Sequence, residues 1–187
     1  TVEVVANEPV KAAPTPSPEP AQAGGLPDSF RLRAPVAVSR PPWAMGSIKG
    51  RSVKVLGDTP LAEQIRATVT AKGGTTDGTP DAVIDAGGDV FESFRVAQEL
   101  ADGRPTDWIC AAHVGLVASD MKAGRDSGAT AGFAKAVGRE WPDTAARLVN
   151  VDVAMDVKTA AALVVEELGA TDGSVEIHWN ETGRHAI

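Results

Sequence analysis

From residue 52 to residue 179 the chain alternates short apolar, β-branched runs with longer stretches of helical period, and that alternation restricts the fold more than any other feature. Strand-like runs occupy 52–56, 82–84, 108–114, 147–153 and 175–179. Helical patterns fall between them, at 90–100, 128–141 and 157–168, and after Thr59, a fitting N-cap, with Pro60 at the first helical position and Leu61, Ile65, Thr68 and Val69 in one stripe. In the 90–100 segment the apolar positions are Phe91, Phe94, Val96, Ala97 and Leu100. Strands separated by the length of a helix cannot pair through a hairpin, so they pair in parallel through crossovers. The expectation is a doubly wound α/β fold: a mostly parallel sheet with helices on both faces and right-handed connections.

Nine of the 13 prolines lie before residue 43, which divides the chain by composition alone. From Asn7 to Pro27, Pro14, Pro16, Pro18 and Pro20 alternate with Ala, Ser and Thr; such a stretch donates few backbone hydrogen bonds and has little to bury. It reads as an extended tether rising about 3.1 Å per residue, and a tether implies a neighbour within a longer, multidomain polypeptide. The plain alternative is a disordered N-terminal tail. The expected organisation is a Pro/Ala-rich interdomain linker at 1–27 and a folded domain at 28–187. Phe30, Leu32, Val36 and Val38 share one face of a half-buried strand that Pro41, Pro42 and Trp43 end.

The chain has 187 residues with 43% hydrophobic, enough for a real core. No apolar run approaches the roughly 18–20 residues of a membrane-spanning helix, and the start lacks a secretory pattern, so a cytoplasmic location is expected. A single cysteine, Cys110, cannot form an internal disulfide, and with three scattered histidines it does not make a zinc site. Net charge of −7 opposes binding to phosphate backbones and anionic membranes. Tyrosine is absent. A tyrosine hydroxyl therefore cannot act as a general acid within this chain.

In a dinucleotide-binding sheet the first strand runs into a glycine-rich turn, where backbone N–H groups meet the pyrophosphate. Here the turn is Val55-Leu56-Gly57-Asp58-Thr59-Pro60-Leu61, with one glycine, a carboxylate facing the phosphates, and a proline that deletes a donor. It reads as a degenerate cofactor turn, Gly57, Asp58 and Thr59 forming a capped helix start without ligand. Asp77 falls at a ribose-binding distance in sequence, but Gly73, Gly74 and Gly78 around it read as a turn. The stretch Asp85-Ala86-Gly87-Gly88 either lines a nucleotide cleft or is a tight turn. No Walker pattern is present.

Two phrases carry a family resemblance. The run from Gly128 to Pro142, with Gly132, Lys135, Glu140 and Trp141, and then Arg147 to Asp152, resembles the long helix and following strand of short-chain dehydrogenase/reductases. It is closer still to the ketoreductase regions of polyketide synthases and polyunsaturated-fatty-acid synthases. The C-terminal Val175-Glu176-Ile177-His178-Trp179 with Gly183 and Arg184 resembles the hairpin that closes the first half of such ketoreductases. These ketoreductases resemble two fused copies of one reductase fold, a truncated Rossmann-like structural half followed by a catalytic half. The resemblance implies that this chain is the structural subdomain. The positions matching the Tyr and Lys of the reductase pair hold Ala123 and Ser127, neither of which can donate the proton to a developing alkoxide. By the same resemblance no cofactor is bound here, NADPH is expected in an adjacent catalytic half, and an acyl carrier protein lies upstream.

Other residues have a bland and a functional reading. Ser119, near the place of a reductase's catalytic serine, reads better as the start of a turn, and His113 as a hydrogen-bonded core residue. Lys135, Arg139 and Glu140 suit a solvated helix face, and Cys110 a buried strand. Trp108, Trp141 and Trp179 either finish the core or meet a neighbour; Trp141 reads as core, and Trp43 and Trp179 are possible interdomain contacts. Two further functions stay open: a self-contained divergent reductase using Ser119, Lys122 or Lys135, and Asp85, and a docking module for the carrier protein.

Overall fold

A computed structural model describes residues 38–39, 47–114 and 121–186, apart from the side chains of 38–39 and 121–128. The chain divides into two units, Thr1–Ala34 and Pro35–Ile187, and every described residue belongs to the second. The elements are β1 (Val38–Ser39), β2 (Val53–Leu56), α1 (Pro60–Ala71), β3 (Ala82–Asp85), α2 (Val90–Glu99), β4 (Asp107–Val114), α3 (Met121–Glu140), β5 (Ala145–Asp152), α4 (Val157–Glu166), β6 (Glu176–Asn180) and β7 (Gly183–Ala186). Of the expected strand through Phe30 to Val38, only β1 falls among the described residues. The helix expected at 128–141 begins seven residues earlier, so Ala123 and Ser127 lie within α3 rather than before it.

The local signals act as their chemistry dictates. Thr59 caps α1, its hydroxyl accepting from the Ala62 N–H with Pro60 in the first turn, and Leu61, Ile65 and Val69 place a fully buried stripe on the sheet. Asp89 caps α2 and Asp156 caps α4, each carboxylate accepting from two first-turn N–H groups. All four residues of β3 are buried, as both-face coverage requires.

Seven strands form one sheet in the order β1-β7-β6-β5-β4-β3-β2. Strands β2 to β6 are parallel, whereas β7 pairs antiparallel with β6 and β1 with β7. Alternate strand residues feed two cores. One holds Val53, Ile84, Ile109, Val149 and Ile177 under α1 and α4; the other holds Val83, Trp108, Cys110 and Leu148 under α2 and α3. In the second core Trp108 meets Phe133 and Trp141 edge-on at 5.6 and 5.9 Å. Such pairs add about 0.5–1.5 kcal/mol each beyond burial.

The connections differ from the expected right-handed set. Each step from β2 to β6 moves one place in the same direction, yet α1 and α4 cover one face and α2 and α3 the other. Helix α1, however, leads first to Thr75, which bridges the outer side of β2 in parallel with Ser52 before the chain returns to β3 on the inner side. The order therefore reverses at β2, as winding on both faces requires, and only the β5-α4-β6 crossover is opposite in hand to those through α2 and α3.

Candidate functional site

Ligands of open α/β sheets sit beyond the carboxyl ends of the strands, in the crevice where strand order reverses. Here the reversal falls at β2, with Thr75 bridging one side and β3 pairing on the other, so the crevice is the one between the turns after β2 and β3. Only Gly57 and Asp58 separate the last residue of β2 from the cap Thr59. Gly57 has φ of 95°, and a Cβ there would lie 2.4 Å from the Gly87 Cα; one on Gly87 would lie 2.8 Å from the Gly57 Cα. The two turns therefore pack backbone against backbone. The Thr59 hydroxyl donates to the Ala86 carbonyl at 2.8 Å while accepting from the Ala62 N–H at 3.1 Å, so it ties the turns together and caps the helix at once. Pro60 offers no N–H, and the Glu63 N–H bonds the Thr59 carbonyl. A pyrophosphate needs several free amides and an open cradle, and the residues present do not fit one.

The outer edge of β2 is occupied too. The Val53 N–H bonds the Thr75 carbonyl at 2.8 Å, and Arg66 Nη2 donates to the Val55 and Gly57 carbonyls at 3.0 and 2.7 Å. Asp77 lies beside Ser52, whose hydroxyl donates to its carbonyl at 2.6 Å. It stands in a turn at the amino end of β2, the opposite end from Gly57, and the ribose reading has no geometric basis.

The remaining candidates do not converge. Asp85 is buried, accepting from the Ser93 hydroxyl and, at 3.0 Å, from the Gly87 N–H. Lys135 pairs with Glu176 at 3.1 Å on the exposed side of α3. His113 Nε2 meets the Met155 carbonyl at 2.8 Å, as a core histidine should. Cys110 is fully buried, and burial, with the Asp85 charge adding to it, pushes its thiol far up. Ser119 and Trp43 lie outside the described residues, as do the side chains of Lys122, Ala123 and Ser127. Among the described residues no three His, Cys, Asp or Glu side chains are grouped to hold a metal, and no helix is long and apolar enough to cross a membrane. A groove of about 460 Å³, lined in part by Lys135, Arg139, Thr144, Arg147 and Ser174, lies at the amino ends of β5 and β6, away from Gly57.

The arginines of the two resemblance phrases meet in space. Arg184 binds Glu167 through Nε and Nη2 at 2.7 and 3.0 Å and Asp172 through Nη1 at 2.8 Å. Arg147 reaches Asp172 at 3.3 Å and the Ala170 carbonyl. All four charged side chains are at most 4% exposed. Burial alone would raise the Asp172 carboxyl, but hydrogen bonds from Arg184 and Ser174 and the Arg184 charge outweigh it and hold the carboxyl far below the usual range. Trp179 belongs to this group: its indole N–H donates to Glu167 at 2.9 Å and its ring packs on the α1/α4 core. It is half-buried there. Phe91 and Phe94, apolar positions of the helical pattern, are 82% and 55% exposed, because α2 turns Ser93, Val96 and Ala97 to the sheet.

No protein-family model matches the chain, and no curated protein matches it. Solved structures do. An A-type ketoreductase from a modular polyketide synthase superposes with a TM-score of 0.55 at 19% identity, covering 80% of this chain and 40% of that one. The fold is that of part of a polyketide-synthase ketoreductase. An A1-type ketoreductase gives 0.54 at 18% identity over the same shares, and a C2-type ketoreductase from a modular polyketide synthase 0.56 at 14%, covering 76% and 40%. The chain thus spans about 40% of the length of the ketoreductases it matches.

Proposed function

We propose that this chain is the non-catalytic structural subdomain of a ketoreductase in a multidomain polyketide or polyunsaturated-fatty-acid synthase. Its role is to support, by side-by-side packing, a catalytic half that holds NADPH and reduces a β-ketoacyl thioester carried on an acyl carrier protein. The observation that carries the reading is the closed turn after β2: two loop residues, a threonine cap, and the Gly87 backbone where a pyrophosphate would approach. The absence of tyrosine, with Ala123 and Ser127 at the matching positions, supports it from the side of the chemistry. Without a phenol there is no proton donor for the alkoxide, and without a phosphate cradle no hydride source is held. On this reading residues 1–27 link the subdomain to an upstream carrier protein in the cytoplasm, and the domain proper covers 28–187.

A self-contained reductase has less support. Asp85 and Lys135 are engaged elsewhere, Asp85 with Ser93 at the carboxyl end of β3 and Lys135 with Glu176 at the amino end of β6. Isothermal titration of the isolated chain with NADPH tests the proposal. No heat of binding up to millimolar cofactor is expected; micromolar affinity, or turnover of a β-ketoacyl thioester, overturns it.

A further inference from the structure

Three Asp-Gly steps occur in the chain, at Asp77-Gly78, Asp102-Gly103 and Asp172-Gly173. Such steps are prone to cyclise, because glycine has no side chain to shield its nitrogen from the carboxyl group before it. The fold treats the three differently. Asp172 is held by Arg184 Nη1 at 2.8 Å, Arg147 Nη1 at 3.3 Å and the Ser174 hydroxyl at 2.6 Å, with its side chain 1% exposed. Two guanidinium groups keep it ionised, and a carboxylate is a far poorer electrophile than the neutral acid. After α2 the Gly103 N–H donates to the Leu100 carbonyl at 3.1 Å, and Arg104 Nε to the Ala101 carbonyl at 3.1 Å, so that nitrogen is tied into its turn. Asp77 and Gly78 are both exposed. Among the described residues neither the Asp77 carboxylate nor the Gly78 N–H has a hydrogen-bond or ion-pair partner, and Gly78, at φ of 89°, has open space where a Cβ would stand.

We propose that Asp77 is a site of spontaneous isoaspartate formation, and that this modification releases the guard on the outer edge of β2. The Gly78 nitrogen bonds to the Asp77 Cγ, its proton and the carboxyl OH leave as water, and a succinimide ring closes. Water then opens the ring. Cleavage between the nitrogen and Cγ restores aspartate; cleavage between the nitrogen and the main-chain carbonyl carbon gives isoaspartate, with no change of oxidation state. In that product the main chain runs through Cγ and is one carbon longer, and the former main-chain carbonyl is a carboxylate on a side branch. The carbonyl that changes is an engaged one: the hydroxyls of Ser52 and Thr75 donate to it at 2.6 and 3.4 Å. Thr75 in turn covers β2, its N–H bonding the Arg51 carbonyl at 2.9 Å and its carbonyl accepting from the Val53 N–H at 2.8 Å. With the acceptor displaced, Thr75 leaves register and the amino half of β2 becomes an open strand edge.

Ageing the folded chain at neutral pH, followed by peptide mapping with electron-transfer fragmentation to separate the two isomers, tests the site. Isoaspartate at 77 is expected to exceed that at 102 by about threefold and that at 172 by about tenfold, whereas in the urea-unfolded chain the three agree within about twofold. Isoaspartate at 77 no higher than at 102 or 172 in the folded chain overturns the assignment, and so does the same ranking in urea, which would trace it to neighbouring residues rather than to the fold. Hydrogen exchange reads the consequence. In the isoaspartate-bearing chain the Val53 amide is expected to exchange about tenfold faster than in the fresh chain. Asp77→Glu, whose larger ring closes far more slowly, should keep the fresh rate on ageing. Unchanged exchange at Val53 in a sample rich in isoaspartate 77 overturns the release of the β2 edge.

Discussion

Two glycines separate close packing from open space. At Gly87 an added methyl meets the Gly57 Cα at 2.8 Å, backbone against backbone, and neither turn can yield because Thr59 bonds them together. Gly87→Ala is expected to destabilise the chain by about 2–3 kcal/mol, the scale of overpacking with a displaced backbone. At Gly132, in the exposed side of α3, nothing lies within 4 Å. Gly132→Ala is expected to stabilise the isolated chain by about 0.5–1 kcal/mol through helix propensity. Urea denaturation of both variants gives opposite signs if the turns pack as described, and a neutral Gly87→Ala would contradict the closed cradle. The glycine pair after β3 was legible in the sequence as either a cleft or a turn. Its partner Gly57, thirty residues away, was not, because no local pattern encodes which turn a turn will touch.

At the scale of elements, the C-terminal hairpin is joined to α4 by buried charge as well as by the apolar contacts of Ile177 and Trp179. Glu167, at the end of α4, serves Arg184 of β7 and the Trp179 indole of β6, and Asp172 bridges Arg184 and Arg147 of β5. Glu167→Gln removes one of two buried negative charges and leaves two guanidinium groups facing one carboxylate. A loss of about 3–5 kcal/mol is expected, and the pair Glu167→Met with Arg184→Met should recover much of it. Acid exposes the same cluster. Because the Asp172 pKa is depressed in the fold, its contribution is complete above the unfolded value near 4 and drains as pH falls below it. His178 adds an earlier step. Burial, opposed by Glu176, lowers its pKa, so the neutral ring favours the fold and stability declines as pH drops below about 6.5. Thermal melts from pH 7 to pH 3 should show a shallow decline followed by a steeper one, and Asp172→Asn should remove the second. At the opposite end of the sheet Arg66 blocks the edge of β2, a device that stops further strands from adding.

For the whole molecule, the central strand reports global unfolding. Cys110 sits fully buried in β4 beneath α2 and α3, with its thiolate disfavoured by burial. Native protein should react with an aromatic disulfide reagent only on opening, its rate rising with urea in step with the unfolded fraction; rapid native labelling would mean the α2/α3 layer opens on its own. That layer is also the one whose helix α2 exposes Phe91 and Phe94.

Read alone, the sequence determined the order of strands and helices, the Thr59 cap with Pro60 behind it, the parallel class of the sheet, the short turn at Gly57, and the absence of a phenolic acid. Each is written in neighbouring residues, as a period of two or of 3.6 or as a side chain's own chemistry. Only the tertiary structure decided that α2 turns Ser93, Val96 and Ala97 inward and leaves Phe91 and Phe94 exposed, that crossovers of both hands build the sheet, that Trp179 bonds Glu167, and that Arg147 and Arg184 meet on Glu167 and Asp172. These depend on the path of the chain between distant positions, which periodicity does not specify. Helical period says that a helix has an apolar side; the sheet beneath it and the space above it decide which apolar residues are core and which are surface.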